Sequence, residues 1–254
     1  MISVVLLGAG NVATHLYKVF KKADGITVNQ WFNRSLNPLQ PYKNDVEITN
    51  NISQLKDADV YIIAVSDDAI SQLSSQFLFE NRLVVHTSGS VSLHNLDKKH
   101  QRGVLYPLQT FSKNTDLNFE TVPFCIEIEH KTNFNILKEL TSSIGSKSYR
   151  VNSEQRSALH LSAVFVNNFT NQMYRIGHEI AESKSVDFNI LKPLIKETAN
   201  KIDNLSPYLA QTGPAKRNDK KTVKKHLKAL DKNIHKEIYE LITKSIQQTH
   251  GKKL

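Results

Sequence analysis

The sequence predicts a doubly wound α/β sheet followed by an all-helical C-terminal domain, and three observations lead there. Short apolar runs alternate with helically spaced apolar residues through the first 150 positions. A glycine-rich turn closes the first of those runs. Beyond about residue 150 the strand signals stop while helical spacing continues. The expected division is a sheet domain over 1–150 and a helical domain over 151–254.

Ile2–Leu7 is apolar apart from Ser3 and ends in glycine, which reads as a strand. Asn11–Lys22 places Val12, Leu16, Val19 and Phe20 at helical spacing. Thr27–Phe32 is the second strand and Val46–Ile48 a short third, followed by a brief helix over Asn51–Lys56. Val60–Val65 is wholly apolar, as expected of a parallel strand covered by helices on both faces. Asp68–Phe77 reads as a helix, with Asp67 or Asp68 available as its N-cap. Leu83–His86 is the fifth strand, Leu93–Lys98 a turn or two of helix, and Gly103–Leu105 the sixth strand. Strand–helix–strand in this order implies right-handed crossovers. Ser153–Ser183 is a long helical pattern with Ser153 as N-cap and Glu154 and Gln155 in the first turn. Phe188–Leu205 is another helix, then a polar loop holds Pro207, Gly213 and Pro214, and Lys221–Leu230 and Asn233–Gln248 complete the helices.

Composition bounds the function classes. Of 254 residues 39% are hydrophobic, enough for a sizeable core, and 22% are charged. No apolar run approaches the roughly 18–20 residues of a membrane helix, and the N-terminus reads as a strand rather than a secretory leader. A single cysteine, Cys125, excludes an internal disulfide and a cysteine-rich metal site, and no metal is expected. These features point to the cytoplasm. The net charge of +9 is uneven: residues 1–150 hold 15 basic and 14 acidic side chains, residues 151–254 hold 18 and 10. The basic half suits phosphorylated or carboxylated small molecules, or simply a solvated face. Nucleic acid is disfavoured, because the lysines of 216–236 are not interleaved with aromatics.

The turn Gly8-Ala9-Gly10-Asn11-Val12-Ala13 fits G-x-G-x-x-A, directly after a strand and opening a helix. Gly8 permits the tight turn, Gly10 lets backbone approach a diphosphate, and Ala13 lets helix and strand pack closely. The helix N-terminus around Asn11 and Val12 offers free amides to the phosphates. The sheet is therefore expected to be of the Rossmann type and to hold a dinucleotide. The second strand ends in Asn33-Arg34-Ser35 and lacks the carboxylate that would hold a ribose 2′-hydroxyl. Arg34 can pair with a 2′-phosphate, and Asn33 and Ser35 can donate to it, which selects NADP over NAD.

Ligands in open α/β sheets lie at the carboxyl ends of strands. Val65 and Ser66 close the fourth strand there and are expected near the cofactor's ribose or diphosphate. His86-Thr87-Ser88-Gly89-Ser90 ends the fifth strand like a site loop; His86 either contacts the nicotinamide or substrate or is satisfied by backbone, and Ser88 is a substrate-side candidate. Tyr106-Pro107-Leu108-Gln109-Thr110-Phe111 is either a substrate wall or interdomain packing.

The Gly8–Ala13 turn, Asn33-Arg34-Ser35, Ala64-Val65-Ser66-Asp67 and a helical second domain resemble the 6-phosphogluconate dehydrogenase-like superfamily, including pyrroline-5-carboxylate reductase. The motifs His86–Ser90, Tyr106–Phe111, Ala158-Leu159-His160 with Asn167-Asn168, and Thr212-Gly213-Pro214-Ala215 resemble a narrower group, Rossmann-like NADP oxidoreductases with a C-terminal domain of unknown function. The resemblance implies a homodimer with helical domains packed together and a substrate cleft between nucleotide domain and helices. Superfamily hydroxyacid dehydrogenases place a lysine three or four residues before an asparagine; here Asn167-Asn168 supplies the asparagine but Ala163 and Val164 stand at the lysine position. That chemistry is not carried over.

His160 lies seven residues before Asn167, a spacing that shares a helix face, and an imidazole suits proton transfer near neutrality. His160 is the candidate acid and Asn168 the orienting group, with Asn167 near the substrate; helix–helix hydrogen bonding is the competing role. Thr212, Lys216 and Arg217 form a compact basic loop for an anionic substrate group, or a solvated turn. The sequence thus predicts an NADP-dependent oxidoreductase acting on a small, anionic carbonyl or imine substrate. The alternative is an NADP(H)-binding regulatory or scaffold protein without turnover.

Overall fold

The structure, a computed structural model, describes residues 1–113 and 115–250. It divides into two compact units, Met1–Asn167 and Asn168–Leu254.

The first unit is built on eight strands: β1 Ile2–Leu7, β2 Ile26–Phe32, β3 Ile48–Thr49, β4 Val60–Ile63, β5 Leu83–His86, β6 Gln101–Pro107, β7 Phe124–Ile128 and β8 Ser148–Arg150. They lie in the order β3-β2-β1-β4-β5-β6-β7-β8. The first six are mutually parallel, β7 runs antiparallel to β6, and β8 is parallel to β7. The order reverses between β1 and β4, which opens a crevice at their carboxyl ends. β1 shows why the central runs are continuously apolar: Val4 and Leu6 enter one core, Val5 and Leu7 the other.

Helix α1 (Asn11–Phe20) buries Ala13, Leu16, Tyr17 and Phe20 against the first core. Helix α2 (Ile70–Ser75) buries Ile70 and Leu73 against the second. It is preceded by a 3-10 turn, Asp67–Ala69, whose N-cap position is taken by Ser66 rather than by either aspartate. Helix α3 (Phe134–Ser142) sits between β7 and β8 and buries Leu137 and Leu140. The apolar runs of the sequence point to six strands only. The run that forms β7 is interrupted by Glu127, and that charge has a buried partner.

The partner is Arg156 on helix α4 (Ser153–Ala163), with no exposed surface. Its Nε donates to Glu127 Oε2 at 3.0 Å, and Nη2 stands 2.9 Å from the same oxygen. The Ser153 hydroxyl donates to the other carboxylate oxygen. Asn152, not Ser153, is therefore the N-cap: its side chain accepts from the Gln155 amide while Gln155 Oε1 accepts from the Asn152 amide. Because α4 is anchored to β7 in this way, it falls within the first compact unit, Met1–Asn167.

After α4 the chain passes through a π-helical turn, Val164–Phe169. Within the second unit follow α5 (Thr170–Glu182), α6 (Lys192–Asn200), α7 (Pro207–Ala210), α8 (Lys220–Ala229) and α9 (Asn233–His250). None of them buries a residue fully. Among the described residues no helix is long and apolar enough to cross a membrane.

Removing one partner of a buried pair leaves an uncompensated charge, at about 3–5 kcal/mol. Glu127→Ala should therefore lower unfolding stability by that amount in urea denaturation, whereas exposed Asp57→Ala, which loses the surface ion pair to Arg82, should cost less than about 1 kcal/mol.

Candidate functional site

The glycine turn is shaped by what surrounds it. Gly8 adopts φ +112°, and a Cβ there would fall 2.1 Å from the Ala64 carbonyl oxygen on the neighbouring strand end. Its amide donates to Phe32 O at 2.9 Å. Its carbonyl accepts from the buried indole of Trp31 at 2.6 Å. The turn is thus pinned on both peptide groups. Gly10 is the opposite case: nothing lies within 4 Å of the position its Cβ would take, so the space above it is open. It is also the N-cap of α1, with no side-chain cap and no acidic residue in the first turn. The first-turn amides of a helix have no intrahelical acceptor. A diphosphate oxygen fits here on geometry and charge.

At the end of β2, Asn33 donates its amide to Thr49 O and its side-chain nitrogen to Ser35 O at 2.8 Å, which closes the loop. Arg34 is exposed and has no ion-pair partner among the described residues. The Ser35 hydroxyl accepts from the Asn37 amide at 3.4 Å. Val65 borders Gly8 and Ser66 is exposed beside it. Gly8, Gly10, Val12, Arg34, Val65 and Ser66 are thus gathered along the carboxyl ends of β1, β2 and β4. Asn11 is turned to another use: its Nδ2 donates to Phe111 O at 2.8 Å. His15, one turn on, contacts Ser112 O at 3.0 Å, so the segment after β6 is strapped onto α1.

A second group lies at the ends of β5 and β6. His86 is a core side chain with no exposed surface. Its Nδ1 accepts from the Ser88 amide at 3.1 Å. Burial, helped by the nearby Arg156 charge, pushes its pKa down to about 4. Ser88 is likewise occupied, its hydroxyl accepting from the amides of Ser90 and Val91 at 3.1 Å each. Ser90 in turn donates to Asp67 Oδ2 at 2.6 Å, which ties the β5 loop to the β4 loop. Arg156 Nη1 donates to the carbonyls of Ser88 and Gly89 at 3.2 and 2.9 Å and holds this turn from beneath.

On the turn sit two rings. The Tyr106 hydroxyl lies 3.1 Å from His160 Nδ1, and the rings meet edge to face at 5.9 Å. A Cβ on Gly89 would be 2.6 Å from that same Nδ1 and 2.7 Å from Tyr106 Cζ. Burial, reinforced by Cys125, raises the Tyr106 phenol above its ordinary range. His160 is half-buried in this nest. Sequence reasoning finds Tyr106 only as a substrate wall or interdomain packing and misses Arg156, Glu127 and Trp31. An inward glutamate in the apolar run Phe124–Ile128 is the available signal for the buried pair.

Asn167 is exposed, seven residues beyond His160. The π-helical turn that begins between them winds more residues per turn than an α-helix. In the second unit Asn168 is exposed at the unit's start. The Lys216 ammonium donates to Gln211 O at 2.7 Å, and Gln211 Nε2 donates to Thr212 O at 2.9 Å. Arg217 is exposed. Among the described residues no cluster of three His, Cys, Asp or Glu side chains could hold a metal ion.

The buried His86 gives the fold a pH dependence. A base whose folded pKa is depressed contributes its full stability above the unfolded value near 6.5 and loses it as pH falls toward 4. Chemical denaturation should show a loss of about 3 kcal/mol across that window, and His86→Gln should flatten it.

Residues 122–246 match the model of a domain of unknown function, DUF2520. No curated protein matches the chain. Among solved structures, one described as a putative NADP oxidoreductase from Bacteroides fragilis is 34% identical, with 97% of this chain and 98% of that one covered and a TM-score of 0.86. A protein from Thermotoga maritima is 21% identical over 98% of each chain, at a TM-score of 0.74. A reductive aminase from Aspergillus terreus in complex with NADPH and ethyl levulinate shares the fold at 12% identity, over 99% of this chain and 95% of that one, with a TM-score of 0.71. With the Gly8 turn, the reversed sheet order and the helical second half on one chain, this protein belongs to the family of Rossmann-type proteins carrying a C-terminal DUF2520 domain.

Proposed function

We propose that the chain is an NADP-dependent oxidoreductase acting on a small carbonyl or imine substrate with an anionic group. The observation that carries this reading is the contrast within the turn. Gly8 is locked by its neighbours, while Gly10 presents uncapped helix amides under open space. Arg34, exposed and without an ion-pair partner among the described residues at the end of β2, is the group to take a 2′-phosphate bidentately. The Bacteroides fragilis relative and the NADPH-bound reductive aminase support the same cofactor class. When bound, the nicotinamide supplies or accepts the hydride. This chain's own share is to hold the diphosphate at α1, read the extra phosphate at Arg34, and deliver a proton from His160 to the substrate oxygen or nitrogen.

Calorimetry with pure protein should find NADPH bound more tightly than NADH. Arg34→Ala should weaken NADPH by about 10–100-fold, the worth of a charged hydrogen-bonded pair, and leave NADH nearly unchanged. Across a panel of ketoacids and cyclic imines, His160→Ala should reduce turnover far more than cofactor affinity. Binding of NADPH without oxidation by any panel member would favour the non-catalytic sensor.

We also propose a homodimer. The helices of the second unit expose large apolar side chains, among them Leu241 at 70%, Leu209 at 62% and Leu194 at 61%, and fully bury none. Such faces in water call for a partner, and a second copy is the commonest one. Light scattering after size exclusion should give twice the chain mass of 28.8 kDa. Leu241→Lys combined with Leu209→Lys should shift it toward monomer.

A further inference from the structure

We infer that Tyr106 and the Ser88–Gly89 turn fix the ring of His160, with Nδ1 taking the Tyr106 hydroxyl proton in a hydrogen bond and Nε2–H left as the nitrogen that meets substrate. Its chemical meaning rests on the proton-delivery reading above, in which the Tyr106 hydroxyl proton passes to Nδ1 as Nε2 gives its proton to the substrate, leaving a neutral ring and a phenolate that solvent reprotonates. The arrangement itself is a property of the free protein. In a neutral imidazole one nitrogen carries the proton and the other a lone pair, and the hydrogen bond made by one decides the state of the other. Here that bond is to Tyr106, 3.1 Å from Nδ1. A phenol O–H is a better donor than a neutral imidazole N–H, because the phenol is the stronger acid. The Tyr106 hydroxyl has one proton and, among the described residues, one hydrogen-bond partner. Burial holds it neutral well into the alkaline range, so it stays a donor.

The geometry leaves the ring little freedom to reverse this choice. Gly89 lies close enough to both rings that even a methyl group would collide with Nδ1 and Tyr106 Cζ. Gly89 itself cannot retreat, because Arg156, fully buried and anchored on Glu127, grips the carbonyls of Ser88 and Gly89. A ring flip would exchange Nδ1 for a carbon and leave the half-buried hydroxyl without its acceptor, which carries the desolvation cost of an unpaired group. Tyr106, Gly89 and Arg156 are thus positioning residues for His160.

The test reads the ring directly. Protein labelled with 15N-histidine, held above neutral pH, gives two-bond proton–nitrogen spectra that separate bare from protonated ring nitrogens; His160→Gln assigns the His160 signals. The wild type should show a bare Nδ1 and a protonated Nε2 at His160. Tyr106→Phe keeps the ring and removes only the hydroxyl, and Gly89→Ala pushes a methyl against Nδ1. Both should convert the fixed pattern to an average of the two tautomers, with unchanged signals at the other histidines reporting an intact fold. A protonated Nδ1 in the wild type, or an unchanged His160 pattern in Tyr106→Phe, overturns the inference. In parallel, Tyr106→Phe should lower kcat on the order of tenfold, as loss of an orienting hydrogen bond does, without changing the affinity for NADPH. A wild type that turns over no substrate would overturn the oxidoreductase reading, while the nitrogen spectra would still decide the tautomer.

Discussion

The first unit depends on one buried ion pair. Glu127 enters the sheet from β7 and Arg156 meets it from α4, both withdrawn from water. A pair of this kind is tolerated when further hydrogen bonds occupy its remaining donors and acceptors. Here Ser153 takes the second carboxylate oxygen, and the carbonyls of Ser88 and Gly89 take Nη1. The interaction therefore joins three pieces of chain that are far apart in sequence: the β5 loop, the reversed strand and the first turn of the long helix. It also explains the two reversed strands. β7 and β8 carry the chain away from the carboxyl edge of the parallel strands, and α4 then brings it back across the sheet until His160 meets Tyr106 near the end of β6.

Two glycines within three residues do opposite jobs. Gly8 is squeezed between strand ends, and its φ and the nearby Ala64 carbonyl leave no room for a side chain. Gly10 has open space where a side chain would stand. The spacing of the fingerprint separates a structural requirement from a binding one, and both are visible without a ligand. Asn11 shows that a motif position does not dictate a role. Its side chain is spent on the Phe111 carbonyl, so any diphosphate contact from this residue falls to its backbone amide.

Much of the sheet was legible in the sequence, because a parallel strand covered on both faces must be apolar along its whole length. β1 and β5 are bounded where the apolar runs are bounded. What the sequence concealed were features set by three-dimensional pairing. Glu127 masked a strand because a charge in an apolar run looks like an interruption until its partner is known. Asn152 displaced Ser153 from the N-cap because Ser153's hydroxyl had a stronger acceptor. His86 carried the chemistry and the strand-end position of a ligand contact, but its depth in the core depended on the Ser88 turn folding over it. The π-helical turn that begins between His160 and Asn167 left no mark in residue type at all.

Trp31 is the only tryptophan in the chain, and its indole is bonded to the carbonyl of Gly8. The protein thus carries one indole fluorophore, sealed from solvent and bonded to the peptide that shapes the mouth of the crevice. Its ultraviolet emission is an optical gauge of that peptide and of the Tyr17 and Tyr42 rings packed against the indole. Tension or relaxation at the turn is written into the emission of a single indole, with no other tryptophan to blur the signal.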